Sequence, residues 1–235
     1  MKIYAVNILG ISEEILNKMC LLLDSEKKCK IEKIKNINDK VRTLIGDILI
    51  RTIIAKEFNI SNKKLKIEKN QYGKPYLKEY QEFNFNISHS GDFVVCAIDN
   101  KPIGIDIEEI KHIEFEQIAK RFFTLSEFDY INNNISNSRL SKFYEIWTLK
   151  ESYIKCCGKG LAIPLNSFSI NISNFGDIKL IINNEGQEHT FKRFDIAAGY
   201  NMSVCSLNNE ISNNIIWIDY NSLVTDFCHI NNGII

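Results

Sequence analysis

The spacing of apolar residues changes several times along the chain. Lys2–Leu9 alternates loosely and is rich in β-formers, which predicts an opening strand. Ser12 is a candidate N-cap for a helix reaching about Leu23. Val41, Leu44, Ile45, Ile48, Leu49 and Ile53 recur at helical spacing and predict a long helix with Asn38 as its cap. The period then shortens. Leu65–Lys69 reads as a short strand, Gln71–Pro75 as a turn, and Phe83, Phe85 and Ile87 alternate toward a second turn at Ser88–Gly91. Phe93–Ile98 and Ile103–Glu108 are β-prone runs separated by Asp99-Asn100-Lys101-Pro102. Further on, helical segments are expected at 114–121, 126–132 and 138–157. Strands are expected at 168–172, 178–182, 190–196, 202–207 and 215–219.

The second half repeats the order of the first, and Val95-Cys96-Ala97-Ile98-Asp99-Asn100 has an echo in Val204-Cys205-Ser206-Leu207-Asn208-Asn209. The expectation is an α+β fold of two similar halves, 1–103 and 104–220, joined without a flexible linker. Residues 221–235 are left as a C-terminal tail.

Composition narrows the class. Of 235 residues 45% are hydrophobic and 25% charged, the ordinary globular range. The formal net charge is zero, yet residues 1–103 carry 18 Lys and Arg against 13 Asp and Glu, and residues 104–235 carry 11 against 16. A basic half beside an acidic half suits a site holding an anion on one side and a metal on the other, although chance segregation of solvated charges gives the same pattern. The seven cysteines are odd in number and show no metal-ligand spacing, so they read as reduced thiols of a cytoplasmic protein. The apolar run at the N-terminus is too short for a signal peptide and no stretch is long enough for a membrane span. No nucleic-acid or membrane partner is expected.

Two acidic motifs carry chemistry. In Gly104-Ile105-Asp106-Ile107-Glu108, strand alternation turns Asp106 and Glu108 to one face and Ile105 and Ile107 to the core. Carboxylates this close repel unless a cation lies between them, and oxygen ligands alone favour Mg²⁺ or Mn²⁺ over zinc. Two surface acids on an edge strand are the plain alternative, and a one-residue slip would bring in Glu109 instead. In Trp147-Thr148-Leu149-Lys150-Glu151-Ser152-Tyr153-Ile154-Lys155, the residues Trp147, Glu151 and Lys155 share a helix face. Glu151 could be a third metal ligand, a general base or both, and Lys155 could neutralise a phosphate. An ordinary surface Glu–Lys pair has the same spacing. Gly158 and Gly160 would end the helix.

Other residues could hold an anion: Lys27 and Lys30, Arg42 and Thr43 where the long helix opens, Lys74 and His89 in turns. Neither a P-loop nor a dinucleotide fingerprint is present.

Taken together, these motifs resemble the 4′-phosphopantetheinyl transferase superfamily, in its surfactin-synthetase-activating type. That type carries G-[IV]-D-x-E and, about 40 residues later, W-x-x-K-E-[SA]-x-x-K; Gly104–Glu108 and Trp147–Lys155 match. Gly158-Lys159-Gly160-Leu161, Gly73-Lys74-Pro75, Asn86-Ile87-Ser88-His89-Ser90, Arg42–Asp47 and Arg121-Phe122-Phe123 with Glu127 fit further family segments. The resemblance runs from Met1 to about residue 220. It implies two pseudo-symmetric halves, each a small antiparallel sheet packed with helices, with the active site in the cleft between them. It implies transfer of phosphopantetheine from coenzyme A to a carrier serine, releasing adenosine 3′,5′-bisphosphate. Asp106, Glu108 and Glu151 would hold Mg²⁺ (or Mn²⁺), Glu151 would also deprotonate the serine, and Lys155 would stabilise the phosphate in flight. Lys27, Lys30, Thr43, Lys74, Ser88 and His89 would contact coenzyme A phosphates. The partner would be a peptidyl or acyl carrier protein, docked near 110–125 and 158–190 and serving nonribosomal peptide synthesis; the length favours a pseudo-dimeric monomer. A catalytically silent carrier-binding relative and a different metal-dependent phosphotransferase are the competing readings.

Overall fold

The computed structural model describes residues 1–231 apart from 22, 24, 134–137 and 184. In chain order the first half contains β1 (Lys2–Asn7), α1 (Glu13–Leu21), α2 (Ser25–Glu32), α3 (Ile37–Phe58), β2 (Ile67–Lys69), β3 (Pro75–Leu77), β4 (Asn84–Ser90) and β5 (Phe93–Asp99). The second contains β6 (Ile103–Glu109), α4 (Phe115–Phe122), α5 (Leu125–Asn132), α6 (Arg139–Cys157), β7 (Ser169–Ile172), β8 (Ile178–Ile182), β9 (Glu185–Gln187), β10 (Thr190–Phe194), β11 (Tyr200–Ser206), β12 (Ile215–Trp217) and α7 (Tyr220–Asn231).

Two sheets organise the chain, ordered β12-β1-β5-β4 and β10-β11-β6. The second is antiparallel throughout, and in the first only β12 runs parallel to its neighbour β1. Each sheet carries one long helix. α3 lies on β4 and β5 in the first half, and α6 lies on β6 and β11 in the second. The α+β architecture follows the sequence expectation.

The cap of α3 lies two residues earlier than expected. Asn36, in an extended conformation, accepts from the N–H groups of Asn38 and Asp39, and left-handed Asn59 ends the helix. Leu44 through Ala55 are all buried except Asp47, well beyond one apolar stripe. The cause is a second covering layer: α7 packs on α3, and Leu223 and Phe227 join the first core. The segment expected as a tail is thus a packed helix over Tyr220–Asn231; its last four residues, 232–235, lie outside the described ones.

The expected turn at Ser88–Gly91 is also different. Ser88 to Ser90 belong to β4 and pair with Val95 to Phe93 of β5, so the chain reverses only after Ser90. Among the described residues no helix is long and apolar enough to cross a membrane.

Candidate active site

β6 is the strand on which the two halves meet. Ile103, Ile105 and Ile107 are fully buried in a core shared with Ile3, Ala5 and Val95 of the first sheet and Met202 and Val204 of the second. The intervening residues Gly104, Asp106 and Glu108 therefore face α6. Gly104 is required by that packing: a Cβ there would lie 2.0 Å from the Ser152 carbonyl oxygen and 2.4 Å from the Cys156 nitrogen. Glycine lets strand and helix backbones touch, which brings the β6 carboxylates under Glu151 and Lys155.

The seam between β4 and β6 is made by side chains in place of a backbone ladder. Asn86 Oδ1 accepts from the Ile105 N–H at 2.9 Å, Ser88 Oγ from Ile107 N–H at 3.3 Å, and Ser90 Oγ from Glu109 N–H at 3.1 Å. The two hydroxyls then donate onward, Ser88 to Asp106 Oδ1 at 3.0 Å and Ser90 to Glu108 Oε2 at 2.8 Å. One polar face of β4 satisfies a sheet edge and aims two carboxylates. Its signal is the period-two run Asn86, Ser88, Ser90, which reading the segment as a turn conceals.

Between β4, β6 and α6 opens a cavity of about 380 Å³ lined by Ile87, Ser88, His89, Asp106, Glu108, Trp147, Glu151 and Lys155. Six expected site residues meet there, and Trp147, Glu151 and Lys155 do share one face of α6. Trp147 is braced by Phe143 and Phe123, with ring centroids 5.8 and 6.3 Å away. Glu109 is excluded, being turned toward Gly91 and paired with Lys111 at 2.8 Å.

Lys155 Nζ donates to Asp106 Oδ1 at 2.5 Å and to Ser88 Oγ at 2.9 Å. The other oxygen, Asp106 Oδ2, is buried without a hydrogen-bond partner among the described residues. Burial pushes the Asp106 carboxyl above its ordinary range, against the pull of Lys155. Burial, and then the charge of Asp106, raises Glu108 and Glu151 as well. Three carboxyl groups facing one ammonium form a cavity short of positive charge. Asp106, Glu108 and Glu151 are the residues that could hold a hard divalent cation. Among the described residues no three acidic, His or Cys side chains converge closely enough to close a metal shell by themselves. The orphaned Asp106 oxygen fits a cation bound by few protein oxygens and completed by water and phosphate.

The remaining expected phosphate contacts lie elsewhere. The half-buried Lys74 ammonium donates to the carbonyls of Ile103, Lys155 and Cys156 at 3.0, 2.7 and 3.1 Å, which engages its three donors with backbone. Lys27 pairs with Asp47, which also accepts from Arg51 Nε at 3.0 Å. Lys30 and Thr43 are exposed on α2 and α3. Arg42 and Thr43 do not open α3, which begins at Ile37; Arg42 donates to the Gly91 carbonyl at 2.7 Å and to Asp39 at 2.6 Å.

The profile of the 4′-phosphopantetheinyl transferase superfamily matches residues 102–205, and that of the 4′-phosphopantetheinyl transferase N-terminal region matches residues 11–101. The 4′-phosphopantetheinyl transferase Sfp of Bacillus subtilis (strain 168) is 34% identical over 225 residues, spanning 95% of this chain and 100% of that protein. The chain belongs to the 4′-phosphopantetheinyl transferase superfamily. The transferase gsp of Aneurinibacillus migulanus is 38% identical over 203 residues, covering 86% of this chain and 84% of the relative. Among solved structures, a holo-(acyl-carrier-protein) synthase from Bacillus anthracis, in complex with CoA (3′,5′-ADP), covers 45% of this transferase and 93% of that chain at 20% identity and TM-score 0.38. The family resemblance carried by Gly104–Glu108 and Trp147–Lys155 is the family found.

Proposed function

We propose that the chain is a Mg²⁺-dependent transferase that moves 4′-phosphopantetheine from coenzyme A to a serine of a carrier protein, in nonribosomal peptide synthesis. The observation that carries this reading is the meeting of Asp106, Glu108, Glu151 and Lys155 with Ser88 and His89 in one cavity. Asp106, Glu108 and Glu151 would hold the cation, with Mn²⁺ as an alternative. Bound there, it would neutralise the diphosphate that otherwise repels an incoming oxyanion.

The chain's own residues supply the rest. The Glu151 carboxylate lies half-buried in the cavity wall and takes the proton from the carrier serine, directly or through water. The serine oxygen bonds to the β-phosphorus as the bond to adenosine 3′,5′-bisphosphate breaks. The Lys155 ammonium follows the charge that develops on the phosphoryl oxygens and leaving group. Ser88 and His89 contact the diphosphate side of coenzyme A, and Lys27, Lys30 and Thr43 its more distant phosphate. Lys74 enters indirectly, by tying β6 to the end of α6. The carrier docks across residues 110–125 and 158–190, where Phe122, Leu125, Leu161 and Phe175 are exposed apolar side chains. The enzyme acts as a cytoplasmic monomer.

The test is transfer to a purified peptidyl carrier domain, followed by intact-mass spectrometry with Mg²⁺ and coenzyme A present. The expected gain is one phosphopantetheine arm, abolished by EDTA and by Glu151→Gln in a folded protein. Coenzyme A binding without transfer to any peptidyl or acyl carrier would leave a silent binding module. Turnover of Glu151→Gln within about fivefold of wild type would remove Glu151 from the role of base, since general-base help is worth about 10²–10⁴-fold.

A further inference from the structure

We infer that Lys155 is the built-in counter-ion of Asp106 and that its ammonium and a divalent cation compete for that carboxylate. The inference rests on the magnesium reading above and adds to it a built-in competitor.

The geometry is specific. Glu151 stands four residues before Lys155 on the same helix, the spacing at which Glu and Lys ordinarily pair. Lys155 instead makes its direct ion pair across the cavity with Asp106 on β6. There its Nζ closes a triangle with Asp106 Oδ1 at 2.5 Å and Ser88 Oγ at 2.9 Å, with Ser88 Oγ itself 3.0 Å from that oxygen. Ser88 is pinned in turn by the Ile107 N–H, so the seat is preformed. The ammonium is therefore the counter-ion of a buried carboxylate whose second oxygen has no hydrogen-bond partner among the described residues.

A doubly charged ion on Asp106 Oδ2 and an ammonium on Oδ1 of the same carboxylate repel at close range, so each weakens the hold on the other. The flexible four-carbon stem of lysine makes Lys155 the mobile member. A phosphate in the cavity offers the displaced ammonium a new partner. Metal and coenzyme A then help each other through one side chain. Phosphate draws the ammonium from Asp106 and favours a cation there, and a cation there favours the ammonium's move toward the phosphate; linkage makes the two effects equal. Lys155 reaches its catalytic place when the cation reaches its own.

The experiment measures Mn²⁺ binding without coenzyme A, by the electron paramagnetic resonance of the free ion, for wild type, Lys155→Met and Lys155→Gln. Both neutral variants are expected to bind Mn²⁺ about tenfold more tightly or better, the scale of one charge-assisted hydrogen bond given up. The added gain from coenzyme A should be smaller in the variants than in wild type. Losing any nearby positive charge would also tighten Mn²⁺ binding, so wild type is acetylated with and without Mn²⁺ and each lysine is followed by mass spectrometry. Labelling of Lys155 should rise severalfold with Mn²⁺ while that of enclosed Lys150 stays constant. Unchanged Lys155 labelling overturns the inference. So does equal or weaker Mn²⁺ binding by both variants, and the magnesium reading survives if wild type binds Mn²⁺ with coenzyme A. Failure of every protein to bind Mn²⁺ even with coenzyme A removes both.

Discussion

Lys150 and Glu127 form an ion pair in which both side chains are fully enclosed, with Nζ 2.5 Å from Oε1. Lys150 also donates to the Phe168 carbonyl at 2.7 Å, while Glu127 accepts from the N–H groups of Ile170 at 2.8 Å and Thr124 at 2.9 Å. The pair ties α5, α6 and β7 together. Lys150 and Glu151 are neighbours in the same motif, yet the turn of the helix sends one into the core and the other into the cavity. The half of the motif that reads as chemistry is therefore part architecture.

Removing one member of this pair strands the other charge in an apolar interior. Lys150→Met is expected to lower unfolding stability by about 3–5 kcal/mol, measured by urea denaturation. Lys150→Met with Glu127→Gln should recover part of that loss, because no bare carboxylate remains. A single variant within about 1 kcal/mol of wild type would contradict this account.

Lys74 gives a second stability prediction with a pH signature. Its ammonium serves three carbonyls, and burial holds its pKa below the ordinary lysine value. In the window between that lowered value and 10.5, the unfolded chain binds the Lys74 proton more fully than the folded one. Stability therefore rises with pH through the window as deprotonation relieves the buried charge. Lys74→Met should flatten this rise relative to wild type. At neutral pH it should cost about 1–3 kcal/mol for the stranded carbonyls. Parallel pH–stability curves for the two proteins would refute the assignment.

How far these roles are legible in the sequence depends on the range of the contacts behind them. Strand alternation suffices to turn Asp106 and Glu108 away from Ile105 and Ile107, and helix spacing suffices to align Trp147, Glu151 and Lys155. Both are local periodicities. The fate of Lys74 is set by carbonyls 29 to 82 residues away, which no local pattern encodes. The Ser88–Gly91 segment looks like a turn because serine and glycine are turn formers, but pairing with β5 and the seam with β6 override that preference. The buried back of α3 likewise needs α7, whose buried Leu223, Phe227 and Ile230 lie far from α3 in the sequence.

Gly104→Ala tests whether the contact of β6 with α6 sets the site. The added methyl must push away the Ser152 carbonyl and the Cys156 nitrogen, and backbone atoms have nowhere to rotate. The expected loss of stability is about 1–3 kcal/mol, the usual cost of overpacking. The loss of turnover should be larger, on the order of 10²-fold, because α6 carries Glu151 and Lys155 away from the β6 carboxylates. Thermal melting and transfer kinetics on the same sample separate the two effects. A variant destabilised yet fully active would show that the site tolerates a shift of the helix.

Ser90 is the residue whose removal should touch metal use more than folding. Its hydroxyl accepts from the Glu109 N–H and donates to Glu108 Oε2, so it fixes the rotamer of a carboxylate without lining the cavity itself. Ser90→Ala leaves the Glu108 charge in place but releases its direction, and adds one unpaired N–H at the seam. Groups that orient a metal ligand typically contribute about 10–100-fold in affinity or activity. The expected result is a rise of that size in the Mg²⁺ concentration needed for half-maximal transfer, with a modest change in melting temperature. Ser90→Thr keeps the hydroxyl and should restore the Mg²⁺ response. A merely structural role would lower stability in both variants and leave the Mg²⁺ dependence where it was. Titrating Mg²⁺ against initial transfer rate for wild type and the two variants decides between these outcomes.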